Sequence, residues 1–194
     1  MYEVVQFFYR ILMVLMRKEV IGRERLDNSH NCLICANHIS ANDPPMIGSL
    51  IRGKISYLGK SELFKKKWLG DFLFKNHVIP VRRGRMDRKA LRLVNERLEN
   101  GESLMVFPEG TRKATTIKPG VGKFALEMQK DILPVFIENS DDIWGCFSGK
   151  KHLKFVVGQF IKIDQFKDLE HTKENYQYVA DYVMERINEL KNSN

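Results

Sequence analysis

Apolar positions recur along the chain in two periods. Asn31 to Ala36 is a short apolar run with the length of a buried strand. Ile55 to Leu58, Val78 to Val81, Ser103 to Phe107 and Ile132 to Ile137 read as further strands, and Leu153 to Val157 with Phe160 to Ile163 as a strand pair. Between them the period is helical. Pro44 to Ile51 starts with proline, Glu62 to Phe74 spaces Leu63, Phe64, Trp68, Leu69 and Phe72, and Arg88 to Glu99 puts Leu91, Val94 and Leu98 on one face. Gly122 to Gln129 reads as helix, and Tyr176, Val179, Val183, Ile187 and Leu190 mark a closing one. Strands that alternate with helices predict an α/β fold: a single domain with a largely parallel mixed sheet flanked by helices. No internal repeat or linker divides the chain.

The N-terminus stands apart. Val4 to Met16 is apolar but is interrupted by Arg10, so it is not an ordinary membrane-spanning segment. At 100° per residue, Gln6, Arg10 and Arg17 fall within about 40° of one another, while Val4, Phe8, Ile11, Leu12 and Leu15 gather opposite. This predicts an amphipathic helix lying flat in a bilayer interface, over residues 1–18, ahead of a domain at 19–194. A core-facing helix has the same periodicity. Glu3 comes early and the basic residues follow the apolar stretch, which is unlike a signal peptide.

At 194 residues, the chain is long enough for one domain with a real core. Three cysteines are too few for a disulfide framework and point to a reducing compartment. The formal net charge of +8 is unevenly placed: residues 1–100 carry 19 basic and 10 acidic side chains, the remainder 13 and 14. The first half therefore predicts an anionic partner: phospholipid surface, phosphorylated substrate, acidic protein or nucleic acid.

Two constellations carry chemistry. The first apolar strand ends at Asn37-His38, and Asp43-Pro44-Pro45 follows after a turn. Pro44 biases Asp43 away from helical geometry, which suits Asp43 as an N-cap. The turn lets Asp43 accept from one imidazole nitrogen of His38 and leaves the other nitrogen as a base. A capping aspartate beside an incidental histidine fits the spacing too. The second constellation is Phe107-Pro108-Glu109-Gly110-Thr111-Arg112, directly after a strand. Gly110 permits close backbone approach, Thr111 offers a hydroxyl and Arg112 a planar fork for phosphate. A surface turn with a solvated arginine is the plain alternative. His30, Cys32, Cys35 and His38 imitate a metal set, but on a strand Cys32 and Cys35 point to opposite faces, so no metal site is expected.

Together these segments resemble the NHxxxxD and FPEGTR motifs of the glycerolipid acyltransferases, the 1-acylglycerol-3-phosphate (lysophosphatidic acid) acyltransferase family, in the same order and at similar separation. Ile79 to Gly84 resembles the family's second motif and Ile132 to Val135 its fourth. The resemblance covers roughly residues 30 to 140. It departs at His77, where the family has glycine, and at Lys113, where serine is common. It implies transfer of a fatty acyl group from acyl-CoA or acyl carrier protein to the sn-2 hydroxyl of lysophosphatidic acid, giving phosphatidic acid, without a resident cofactor. It implies His38 as general base, Asp43 as its support, and acceptor recognition by Arg83, Glu109, Gly110, Thr111 and Arg112. Lys118, in a Lys-Pro-Gly-Val-Gly-Lys stretch similar to one in the family, joins that set. Backbone N–H groups near Gly110 are expected to hold the oxyanion. The implied setting is peripheral or monotopic, on the cytoplasmic face of the cell membrane, against an anionic surface, with acyl carrier protein a further candidate partner. Another lipid acceptor is the nearest rival. A basic non-catalytic membrane- or nucleic-acid-binding protein is the rival of another class, but no nucleic-acid-binding motif is present.

Overall fold

The computed structural model describes residues 1–82, 88–112 and 114–192. Helix α1 (Tyr2–Leu15) is followed by β1 (Glu19–Ile21), α2 (Arg23–Asp27), β2 (Leu33–Ala36), α3 (Asp43–Leu50) and β3 (Ile55–Lys60). Then come α4 (Lys67–Lys75), β4 (Val78–Val81), α5 (Arg88–Glu99), β5 (Ser103–Val106), α6 (Gly120–Met128) and β6 (Ile132–Glu138). The chain closes with α7 (Ile143–Phe147), β7 (Lys154–Val157) and α8 (Lys173–Glu189).

The strands form one seven-stranded sheet in the order β1-β7-β6-β2-β5-β3-β4. Neighbouring pairs from β6 to β4 are parallel, β7 is antiparallel to β6, and β1 is parallel to β7. The sheet is mixed and largely parallel, as the alternation of periods predicts. Both faces are covered, which is why β2 and β5 are buried throughout rather than alternating. On one face Ile34 and Ala36 pack with Met13 of α1 and Met16 just after it, Leu26 of α2, Met46 and Ile47 of α3, and Cys146 of α7. On the other, Leu33 and Cys35 pack with Val94 of α5, Phe124 of α6 and Val179 and Val183 of α8. Cys32 and Cys35 thus face opposite layers. Gly122 allows the closest helix contact, since a Cβ there would lie 2.0 Å from the Tyr176 carbonyl oxygen of α8.

Several local expectations are corrected. Glu62 to Phe74 is not one helix: a 3-10 turn over Ser61–Lys65 is separated from α4 by extended Lys66. Gly70 lets α4 fold back on that turn, because a Cβ there would lie 3.0 Å from the Phe64 carbonyl oxygen. Phe160 to Ile163 is not a strand; Ile161 makes a single bridge to Ile132 and a 3-10 turn begins at Ile163. Asp43 is not the N-cap of α3, a position held by Asn42.

Helix α1 is amphipathic in an inverted sense. Part of its polar stripe meets the protein beside buried Met13, while Arg17 stays exposed: Gln6 is buried with its amide 3.4 Å from the Tyr57 hydroxyl, and Arg10 donates to the Ser49 carbonyl at 2.9 Å. Its apolar stripe faces outward, with Val4 69%, Phe7 64% and Leu15 59% exposed. No helix among the described residues is long and apolar enough to cross a membrane.

Candidate active site

The site lies beyond the carboxyl ends of β2, β5 and β6, where open α/β sheets bind ligands. Asn37 fixes the exit of β2. Its amide donates to the Ile137 carbonyl at 2.9 Å and its oxygen accepts from the Ile137 N–H at 2.7 Å, so β2 and β6 stay joined past the last ladder bond. His38 comes next. Its backbone N–H donates to Glu109 Oε2 at 2.7 Å, which ties this loop to the one after β5. Its ring stacks on Phe107, centroids 4.0 Å apart and planes 17° from parallel. The imidazole plane is therefore set by packing before any substrate arrives.

The ring's Nδ1 lies 2.8 Å from Asp43 Oδ2. A carboxylate only accepts, so Nδ1 carries a proton, and in the neutral ring Nε2 is the nitrogen with the lone pair. Nε2 has no hydrogen-bond partner among the described residues, and the His38 side chain is 16% exposed. Asp43 is fully buried. Its Oδ2 also accepts the backbone N–H groups of Ile39 and Ser40, both at 2.8 Å, and its Oδ1 accepts the Ser140 hydroxyl. The carboxylate thus turns back onto the loop that carries His38, rather than forward onto the helix. That loop geometry, not helix capping, explains the spacing of five. Four donors compensate the burial of the charge.

Glu109 is nearly buried, and burial pushes its carboxyl above the ordinary value. The His38 N–H bond and the His38 ring act against that push, while the Asp43 charge adds to it. Gly110 sits at φ +66°, the left-handed region, and its N–H already donates to the Phe107 carbonyl at 2.9 Å. The Gly110 N–H is therefore already engaged within the turn. The Lys118 N–H donates to the Pro108 carbonyl at 2.8 Å, and the Lys118 stem packs beside Gly110, so the two loop segments close on each other.

A family model described as "Acyltransferase" matches residues 17–138. The chain belongs to the acyltransferase family. It is 27% identical over 177 residues to the 1-acyl-sn-glycerol-3-phosphate acyltransferase of Bacillus subtilis, covering 90% of this chain and 88% of that one. It is 36% identical over 139 residues to the lyso-ornithine lipid O-acyltransferase of Pseudomonas aeruginosa, covering 66% of this chain and 52% of that one. Its fold matches the 1-acyl-sn-glycerophosphate (LPA) acyltransferase PlsC of Thermotoga maritima, with TM-score 0.69 and 22% identity, over 98% of this chain and 78% of that one. The acyltransferase model spans His38, Asp43 and the Phe107 to Arg112 loop.

Of the residues singled out in the acyltransferase sequence, His38, Asp43 and Glu109 converge within hydrogen-bonding distance. Thr111 is half-buried, while Gly110, Arg112 and Lys118 are exposed along the loop after β5. Arg83 lies outside the described residues. Sequence reasoning left out Phe107 as the surface under His38, Asn37 as a bolt between strands, and Ser140 as a donor to Asp43. Phe107 and Asn37 stand inside the two motifs and were within reach of the pattern. Ser140, 97 positions from Asp43, had no signal.

Proposed function

We propose that this acyltransferase esterifies the sn-2 hydroxyl of 1-acylglycerol-3-phosphate from an acyl thioester, giving phosphatidic acid for phospholipid synthesis. The observation that carries the reading is the His38–Asp43 contact, with Nδ1 on a fully buried carboxylate and Nε2 open. His38 Nε2 takes the acceptor hydroxyl proton as the oxygen attacks the thioester carbonyl. The C–S bond breaks as the tetrahedral intermediate collapses, and the departing thiolate recovers the proton from His38. Asp43 offsets the positive charge on the ring between those two events. The donor is acyl-CoA or acyl carrier protein, and no resident cofactor enters a step. Glu109 Oε1, unbonded among the described residues, would accept an acceptor hydroxyl. Arg112 and Lys118, with Arg83, supply positive charge for the acceptor phosphate.

The outward apolar stripe of α1 supports peripheral docking at the cytoplasmic face of the membrane. Residues 1–18 would then be the membrane-associating unit and residues 19–194 the acyltransferase domain. On the opposite, protein-facing side of α1 the Tyr9 hydroxyl donates to Asn42 Oδ1 at 2.9 Å, which ties the helix to the residue next to Asp43. A second acceptor class, a lyso-aminolipid, is favoured by the identity with the lyso-ornithine lipid enzyme.

The test is acceptor-dependent thiol release from palmitoyl-CoA and palmitoyl carrier protein in detergent micelles, with lysophosphatidic acid or a lyso-aminolipid as acceptor. Release that falls about 10²–10⁴-fold in His38→Ala supports the base assignment. Equal release by native protein and variant with every acceptor would overturn it.

A further inference from the structure

At the other end of α3 from Asp43, a cavity of about 350 Å³ opens beside α1. Four cations line it: Arg10 of α1, Lys18 just after α1, Arg23 at the start of α2 and Arg52 just after α3. No carboxylate lines it. Arg52 is paired with Asp27 at 3.2 Å, but Arg10, Lys18 and Arg23 have no acidic partner among the described residues. Local structure accounts for only part of this convergence. Arg10 and Arg23 each donate one bond to the carbonyls that end α3, Ser49 at 2.9 Å and Leu50 at 3.4 Å. One bond apiece leaves most of the five N–H donors of each guanidinium unused. Lys18 contributes nothing to that cap. Burial, and then the charge of Arg23, hold its ammonium below the ordinary lysine value. Three like charges gathered without a counter-charge cost energy unless an anion joins them.

We propose that this cavity binds the phosphate of an anionic phospholipid headgroup, as a site separate from the acyl-transfer centre. Its position decides between lipid and free phosphate. Val14 forms one wall, is 63% exposed, and continues the outward stripe of Val4, Phe7 and Ile11. With that stripe in the acyl region, the cavity mouth meets the bilayer at headgroup level. The inference rests on α1 lying in the interface but not on acyl transfer, so binding and activity are read separately.

The test compares adjacent residues. Arg17 and Lys18 carry equal charge, and Arg17 does not line the cavity. They are closer together than a Debye length of about 8–10 Å, so a diffuse field treats them alike. Affinity is measured by co-sedimentation with phosphatidylcholine vesicles, with and without phosphatidylglycerol. Arg17→Gln should weaken binding to the anionic vesicles about fivefold, the effect of one cation near the surface. Lys18→Gln and Arg23→Gln should weaken it about fiftyfold, because a charge-assisted hydrogen bond is lost as well. Lys18→Gln leaves the α3 cap untouched and removes one of three unpaired charges, so its melting temperature should be no lower than the native one. Equal losses in all three variants would overturn the site in favour of diffuse attraction, and native protein that ignores anionic lipid would overturn it outright. Inorganic phosphate, tested without vesicles, distinguishes the other source. Protection against melting that Lys18→Gln abolishes, with vesicle affinities equal across the variants, would assign the cavity to free phosphate and overturn the headgroup reading.

Discussion

Replacing Asp43 by asparagine isolates one charge from everything else at the site. Asparagine is nearly isosteric with aspartate, so the change turns on which way the amide lies. The position of Oδ2 faces three donors: the N–H groups of Ile39 and Ser40 and His38 Nδ1. An NH₂ there would leave two buried backbone donors unpaired, at about 1–3 kcal/mol each. The amide oxygen must therefore take that position, and the NH₂ turns to Ser140, whose hydroxyl rotates to accept. His38 keeps the same tautomer and Nε2 stays the free base. What disappears is the negative charge beside the imidazolium formed in the transition state. Two unit charges about 4 Å apart interact by about 4 kcal/mol at an effective dielectric near 20. The partly solvated ring reduces that figure, so kcat should fall roughly 10²–10³-fold with little change in KM. The assay is thiol release with saturating acceptor, beside a melting curve. Asp43→Asn in a His38→Ala background should add almost nothing, since the charge acts through the ring. A folded Asp43→Asn protein within threefold of native kcat would refute the reasoning.

The outward stripe of α1 gives a separable outcome. Phe7→Ser with Phe8→Ser and Ile11→Ser removes exposed apolar area, so the melting temperature in water should be unchanged, while vesicle binding weakens by about 3 kcal/mol, or more than a hundredfold. Loss of melting temperature with vesicle binding intact would show that the stripe packs on protein instead. At the amino ends of the strands, burial pushes the Glu102 carboxyl up, but bonds from Ser56, His77 and Arg97 more than offset this and leave it below the ordinary value. A depressed carboxyl stabilises the fold above its unfolded value and loses that contribution as pH falls through its folded value. Glu102→Gln should therefore melt below native protein at neutral pH by about 2 kcal/mol, and the gap should narrow on acidification below about pH 4.3. A gap independent of pH would refute it, and acyl transfer at neutral pH should be unaffected.

The legible parts of the fold were those where one residue run serves one buried environment. β2, β5 and β6 are mostly apolar because helices cover both faces, and run length identifies such strands. β1 is not legible in the sequence, because three residues at the sheet edge carry little hydrophobic signal. The break at Lys66 was missed because Leu63, Phe64, Trp68 and Phe72 keep helical spacing through it. Only Gly70 records the close contact that folds the chain back. Periodicity located the apolar stripe of α1 but not which side meets the protein, since a core helix and an interfacial helix share one moment. Contacts from Gln6 and Arg10 to residues some 40 or more positions away decide that. At the site, spacing brought His38 and Asp43 together but misread the Asp43 bonds, because a helix-start pattern does not show which way a carboxylate turns.

The edge of the sheet imposes an order of assembly. Strand β1 has one partner, β7, and their pairing joins Glu19 to Lys154. At synthesis rates of about 5–20 residues per second, about 7–27 s separates the emergence of the two. Helix α1 and its docking partner α3 leave the ribosome near the start of that interval, so the apolar stripe is available to a bilayer while five of the seven strands, β3 to β7, are still unmade. Such distant pairing is also slow to form. The last strand therefore closes over a chain whose first helix can already be seated on lipid.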